Sequence, residues 1–313
     1  MSDKNLRITE DHAGRRLDNF LFNVYKSLPK SKIYNMIRKG EIRVNSGRIK
    51  PSRKLHLNDE IRIPPYLVDF DKNEVSIKIP PSRVKEYWKS ILFENNDYVV
   101  FNKDPELSVH SGSNNQFGLI DIARAAHESD DIDLCHRIDK STSGCIVLAK
   151  NKKFLRNFHV QLKNNKITKK YEAILIGLLK GNQRIETKID SSTKEFLHKV
   201  QEASEGKAAI SEFKLIKNLG YHSYVEVLIF TGRMHQIRVQ SANINLPIVN
   251  DKKYGDFAAN KELSKETGVS RLALHSSFIE FHDQDGLKVS YKAPIDKEFD
   301  ILLTKLSTVT IKS

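Results

Sequence analysis

The sequence predicts an α+β fold in two parts, a small basic module at the N-terminus and a larger body built on a mixed sheet. Three observations predict it. The apolar runs after residue 90 do not alternate with amphipathic helices in the regular order that an all-parallel sheet requires. Residues 14–64 hold two short helical patterns, then alternating strand-like segments, and close at Pro64-Pro65. Residues 1–65 carry 15 Lys and Arg against 7 Asp and Glu, so about a fifth of the chain holds +8 of the total +13.

The elements follow in order. Leu17, Phe20, Leu21 and Val24 recur at helical spacing, and Asp18 falls in the first turn, where a carboxylate suits the helix dipole. Pro29 breaks this helix. Ser31 is the expected N-cap of a second, carrying Ile33, Met36 and Ile37, and Gly40 is placed to end it in the left-handed conformation. Glu41 to Asn45 alternates like a strand, Asn45-Ser46-Gly47 reads as a turn, and Ile49, Leu55 and Ile61-Arg62-Ile63 supply further strand segments. Lys32, Arg38, Lys39, Arg43 and Arg48 lie close together along the second helix and the strand after it.

Residues 66–90, with Asp69, Asp71, Glu74, Pro80 and Pro81, read as a linker with one short strand, and 91–313 as the main domain. In that domain Tyr98–Phe101, Cys145–Leu148, Tyr171–Ile176 and Tyr224–Phe230 are the strand candidates, and 153–165 and 233–244 the helical ones. The Lys- and Asn-rich run Lys163–Lys170 reads as a solvated loop, with contact to phosphate as a second expectation.

Composition narrows the function. Of the 313 residues 39% are hydrophobic and 29% charged, enough to bury a core without staples. A net charge of +13 favours a polyanionic partner. No run of 18 apolar residues and no apolar leader core is visible, so no membrane span is expected and the cytoplasm is the expected location. Cys135 and Cys145 have neither a C-x-x-C partner nor histidines at zinc-ligand spacing; two buried apolar thiols in a reducing compartment are expected, and no metal.

The chemistry concentrates in His136-Arg137-Ile138-Asp139-Lys140-Ser141-Thr142-Ser143-Gly144, where one carboxylate stands between two cations ahead of a tight turn. By itself an Asp beside such a turn is most often a turn or cap residue. The nine-residue pattern, however, resembles the catalytic signature of the RluA-type pseudouridine synthases, His-Arg-Leu-Asp-x-x-Thr-Ser-Gly. Thr231-Gly232-Arg233-Met234-His235-Gln236-Ile237-Arg238 is similar to a further motif of that family, and Lys169-Lys170-Tyr171-Glu172-Ala173 to another. Looser matches are Asn102-Lys103, Val109-His110-Ser111-Gly112-Ser113, Pro247-Ile248-Val249-Asn250-Asp251 with Tyr254-Gly255, and Leu274-His275-Ser276. Asn250 replaces a usual glycine, a mild exchange since both tolerate a left-handed backbone, and Gln240 stands where many relatives carry His. Residues 14–64 resemble the S4 RNA-binding domain.

The resemblance implies a mixed, largely antiparallel sheet with a central RNA-binding cleft, preceded by an S4 module over 1–65 whose RNA-facing surface includes Lys32, Arg38, Lys39, Arg43 and Arg48. It implies that Asp139 is the catalytic carboxylate, acting on a uridine turned out of its stack, that Arg233 pairs with it, that Tyr171 lies under the base, with proton acceptor as an alternative role, and that Arg137 fills the space the base leaves. If Arg137 and Asp139 lay on a strand they would share a face. Whether the carboxylate attacks the sugar carbon or first takes a sugar proton stays open. The isomerisation has no redox step, so no cofactor is expected. Val109 to Gly118 looks most like the branch that modifies several uridines of 23S ribosomal RNA. A sibling with other rRNA or tRNA targets, and an RNA-binding ribosome-assembly factor, are the alternatives, and a monomer is expected.

Overall fold

The computed structural model describes residues 4–10, 12–25, 28–68, 78–111, 117–189 and 206–309. The chain forms two compact units, 1–78 and 79–313.

In the first unit, β1 (Lys4–Arg7), α1 (Leu17–Val24), α2 (Lys30–Lys39), β2 (Arg43–Val44), β3 (Glu60–Ile63) and α3 (Pro65–Val68) follow one another. The strands form an antiparallel sheet in the order β1-β3-β2. Leu17, Phe20 and Leu21 from α1 and Ile33, Met36 and Ile37 from α2 are buried against Val44, Ile61 and Ile63. The helix α2 starts one residue before the expected cap: Pro29, with ψ of 135°, occupies the N-cap, and Ser31 lies inside the first turn. Gly40 ends it at φ +75°. Asn45 and Ser46, at φ +50° and +64°, make the tight turn that closes Val44 onto Gly47 and cuts the expected strand to two residues.

The second unit contains α4 (Pro81–Lys89), β4 (Ile91–Glu94), β5 (Tyr98–Lys103), α5 (Leu119–His127), β6 (Asp133–Leu134), β7 (Ser143–Ala149), α6 (Lys152–Lys163), β8 (Thr168–Ile176), β9 (Gln183–Ile189), β10 (Lys207–Leu219), β11 (His222–Ile229), α7 (Gln236–Asn243), α8 (Phe257–Thr267), β12 (Leu274–His282), β13 (Lys288–Lys292) and α9 (Lys297–Val309). The stretch 66–90 is thus helical at both described ends, with Pro81 at the first position of α4, where its fixed φ suits a helix start; Asp69, Asp71 and Glu74 lie outside the described residues. Lys169 and Lys170, expected in a loop, belong to β8.

Among the described residues the ten strands of this unit join one sheet, ordered β4-β5-β7-β12-β8-β11-β10-β9, with β13 on β12 and β6 on β7. Every pairing is antiparallel except β7 with β12. The fold is therefore α+β with a mixed, largely antiparallel sheet. Side chains alternate between two layers. Tyr98, Val100, Cys145 and Val147 pack with Phe154 and Phe158 of α6, while Val99, Phe101, Ile146 and Leu148 pack with Leu119 and Ile122 of α5. Both cysteines are buried, and burial raises their thiol pKa values, Cys145 to about 12, as inert apolar thiols require. Among the described residues no helix is long and apolar enough to cross a membrane.

Candidate active site

The loop between β6 and β7 carries Asp139, and four sets of contacts fix it. The Thr142 backbone N–H donates to Asp139 O at 3.1 Å, closing a turn. The buried Lys103 Nζ donates to Asp104 O, Leu107 O and Lys140 O at 2.7, 2.9 and 2.9 Å. Burial pushes this amine down to about 7, with the nearby Asp104 carboxylate opposing the fall. The Val147 N–H donates to His136 Nε2 at 3.1 Å, which requires a lone pair there; burial pushes His136 down to about 3, so the ring is neutral. Ser143 Oγ lies 2.8 Å from His275 Nδ1 and accepts from Arg271 Nη1 at 3.0 Å, tying the start of β7 to β12. Gly144 completes the tie: at φ +107° it pairs with Ser276, and a Cβ there would stand 2.2 Å from Ser276 O.

Arg238, in the first turn of α7, meets Asp139. Its Nη1 lies 3.5 Å from Asp139 Oδ2, while Nε and Nη2 donate to Asp251 Oδ2 and Oδ1 at 2.7 and 2.8 Å. Burial alone would lower the Arg238 pKa, but the hydrogen bonds and charge of Asp251 raise it; burial likewise acts against the Asp251 charge, and Arg238 holds it below the usual carboxylate range. Asp251 also accepts the backbone N–H groups of Lys253 and Tyr254. The Arg238 guanidinium lies over the Tyr254 ring, 5.1 Å from its centre. His235, at φ +54°, places Nδ1 2.9 Å from the Tyr254 hydroxyl and Nε2 3.9 Å from Asp139 Oδ2; burial lowers its pKa despite the Asp139 charge.

This corrects the expected partner of Asp139. Arg233 sits in the turn before α7, and its Nε donates to Ala208 O at 3.0 Å instead of reaching the carboxylate. Five residues further on, the helix brings Arg238 to the place assigned to Arg233. The remaining expectations divide. Tyr171 lies on β8 with its hydroxyl buried, and burial raises its pKa against the opposing hydrogen bond with Ser276, with the Asp139 charge adding to the rise, so it is a neutral phenol. Arg137 is exposed, and because residues 137–139 are irregular rather than strand, the same-face argument does not apply. Nevertheless Arg137, Asp139, Tyr171, Arg233 and Arg238 all line one cavity of about 600 Å³. In the first unit Arg43 Nε donates to Gly40 O, and Arg48 packs on the open side of Gly40; Arg38 and Lys39 are exposed in the last turn of α2, and Lys32 is exposed in its first.

Arg238, Asp251, His235 and Tyr254 are site residues that the sequence does not single out. All four lie inside its motif segments, but a planar guanidinium beside the carboxylate is met equally well by either arginine of Thr231–Arg238. Asn250 does take the left-handed backbone, at φ +61°. Gln240 is buried and satisfied, donating to Ile185 O and Ala209 O and accepting from Ser211 Oγ. Among the described residues no group of three or more His, Cys, Asp or Glu could hold a metal ion.

Comparison with known proteins identifies the family. Residues 97–243 match the RNA pseudouridylate synthase family, and residues 15–61 match the S4 domain. The chain is 38% identical to the ribosomal large subunit pseudouridine synthase C of Haemophilus influenzae, over 97% of this chain and 95% of that protein. To the protein of the same name from Escherichia coli it is 36% identical over 97% of both. Among solved structures, human RNA pseudouridylate synthase domain containing 4 shares the fold, with a TM-score of 0.59 and 22% identity over 71% of this chain and 95% of that one. The chain belongs to the RNA pseudouridylate synthase family. It is an RNA pseudouridine synthase, an isomerase, with an S4 domain in its first unit.

Proposed function

We propose that the cavity at Asp139 receives a uridine flipped out of large-subunit ribosomal RNA and isomerises it to pseudouridine. One observation carries the reading: a carboxylate oriented by a doubly held guanidinium faces a cavity lined by a buried tyrosine. The relatives' names, which specify the ribosomal large subunit, support the choice of RNA.

The bond between the sugar C1′ and N1 breaks, the base turns, C1′ bonds to C5, and the C5 proton leaves while N1 gains one. The atoms balance without oxidant, reductant or nucleotide, so the reaction needs no cofactor, and one chain supplies every group. In this reading Asp139 acts on the ribose and base. Arg238 keeps it aimed, because a guanidinium at this distance resists rotation of the carboxylate. Asp251 acts through Arg238 as a positioning residue, holding Nε and Nη2 so that the Nη1 edge is turned to Asp139. Tyr171, held neutral, forms a wall for the base and keeps its proton. Arg137 and Arg233, at the cavity, serve RNA binding. Lys32, Arg38, Lys39, Arg43 and Arg48 give the S4 module its RNA-facing charge.

The test is a pseudouridine map of unmodified large-subunit rRNA, and in parallel of unmodified tRNA, after incubation with the protein. Conversion at a few sites of the rRNA alone is expected. Conversion of tRNA alone would overturn the choice of RNA, and conversion of neither would overturn the reading.

A further inference from the structure

The cavity contains a half-buried cation that takes no part in the isomerisation chemistry. Lys169 stands two residues before Tyr171 on β8, so both side chains point to the cavity face of the strand. Its neighbour Lys170, on the opposite face, pairs with Glu226 at 3.2 Å and lies over the Phe278 ring. For Lys169, among the described residues, no carboxylate, carbonyl or ring takes the ammonium. Its Nζ lies against Gly232, 3.5 Å from where a Cβ would stand. Its charge acts on His136, which also lines the cavity, and burial is what lowers its own pKa.

The fully buried cations of this unit are satisfied. Lys103 donates to three carbonyls, Arg238 meets two carboxylates, and Arg271 binds Asp296, Ser143 and two backbone carbonyls. A half-buried ammonium without a counter-charge is unfavourable, and a fold keeps one where a ligand brings the charge. The ligand of this cavity is a nucleotide. Uracil and ribose are neutral, so the anion it brings is its phosphodiester.

We propose that Lys169 Nζ binds a non-bridging oxygen of the phosphodiester next to the flipped uridine and holds that nucleotide's backbone at the Gly232 turn. The missing side chain of Gly232 leaves room for the approach. The proposal rests on the reading of the cavity as the uridine site, and its test separates the two.

The experiment measures binding of an unmodified large-subunit rRNA fragment, over a series of salt concentrations, by the wild type, Lys169→Met and Lys169→Arg. Met keeps the stem's packing and removes the charge; Lys169→Gln replaces it if Lys169→Met does not fold. At low salt the neutral variant should bind about tenfold more weakly, the value of one charged hydrogen bond. Its plot of log K against log salt should be flatter by about 0.7, one phosphate on a single strand. Lys169→Arg should keep the wild-type slope. A methylphosphonate at the linkage beside the converted uridine should abolish the difference between wild type and Lys169→Met. A neutral variant with unchanged slope overturns the proposal, whether or not its affinity falls. Wild type that makes no pseudouridine in the fragment overturns the underlying reading instead, and the slopes still test Lys169 separately.

Discussion

Arg238 is shared between two carboxylates, and that sharing makes it harder to replace than Arg233. Lysine at 238 keeps the charge but cannot donate to both Asp251 oxygens and to Asp139 from one plane. Arg238→Lys should lower kcat about a hundredfold, the range for a lost electrostatic contact in an active site, with little change in KM. Arg233→Gln should leave kcat within a few-fold and weaken only RNA binding. Single-turnover rates of the two variants check this, and the reverse ranking would restore Arg233 as the partner of Asp139. His136 yields a pH prediction. Its folded pKa, near 3, lies below the ordinary 6.5, because burial disfavours the cation and Val147 N–H needs the ring lone pair. Below pH 6.5 the unfolded chain takes up a proton that the folded one refuses. The stabilisation is therefore complete above pH 6.5 and is lost as pH falls from there toward 3. Denaturant melts across that window should show a shallower loss in His136→Gln than in the wild type.

At the scale of elements, the loop of Asp139 depends on the close approach of β7 and β12. Gly144→Ala would put a Cβ 2.2 Å from the Ser276 carbonyl at a φ of +107°, so the strands must part or the turn must change. Backbone strain of this kind costs roughly 1–3 kcal/mol before the clash is counted. Thermal unfolding should show at least that loss, and pseudouridine formation should fall further than stability as Asp139 is displaced. Elements whose burial leaves a mark on local pattern are legible in the sequence. β7 is buried on both faces and reads as one apolar run, β5 is nearly so, and β8 and β11 mix buried, mostly apolar side chains with half-covered ones. The alternating β10, with Lys and Glu on its open face and a register shift between Leu215 and Lys217, shows no such run. α4 buries a single side chain, Tyr87, and its sequence reads as linker. Within the site, the motif residues are legible as a set, but their pairing is not. Which arginine reaches Asp139 depends on where α7 begins, and α7, buried on nearly all sides with Gln236, Arg238, Gln240 and Ser241 among its covered residues, has no apolar stripe to mark its start.

For the whole molecule, the proposed reading divides the work between the S4-containing unit, which would carry RNA-binding charge, and the second unit, which would carry the isomerisation. Removing residues 1–78 should weaken RNA binding and flatten its salt dependence, because fewer phosphate counterions are released. An unchanged slope would place the RNA-binding charge in the second unit. Replacing Asp139 alone asks where the chemistry resides. Asp139→Asn keeps the side chain's shape and removes its charge, so the protein should bind unmodified large-subunit rRNA with nearly wild-type affinity and form no pseudouridine. Pseudouridine at the wild-type positions, even at a reduced rate that the Asn variant itself sustains, would contradict the assignment of the chemistry to Asp139.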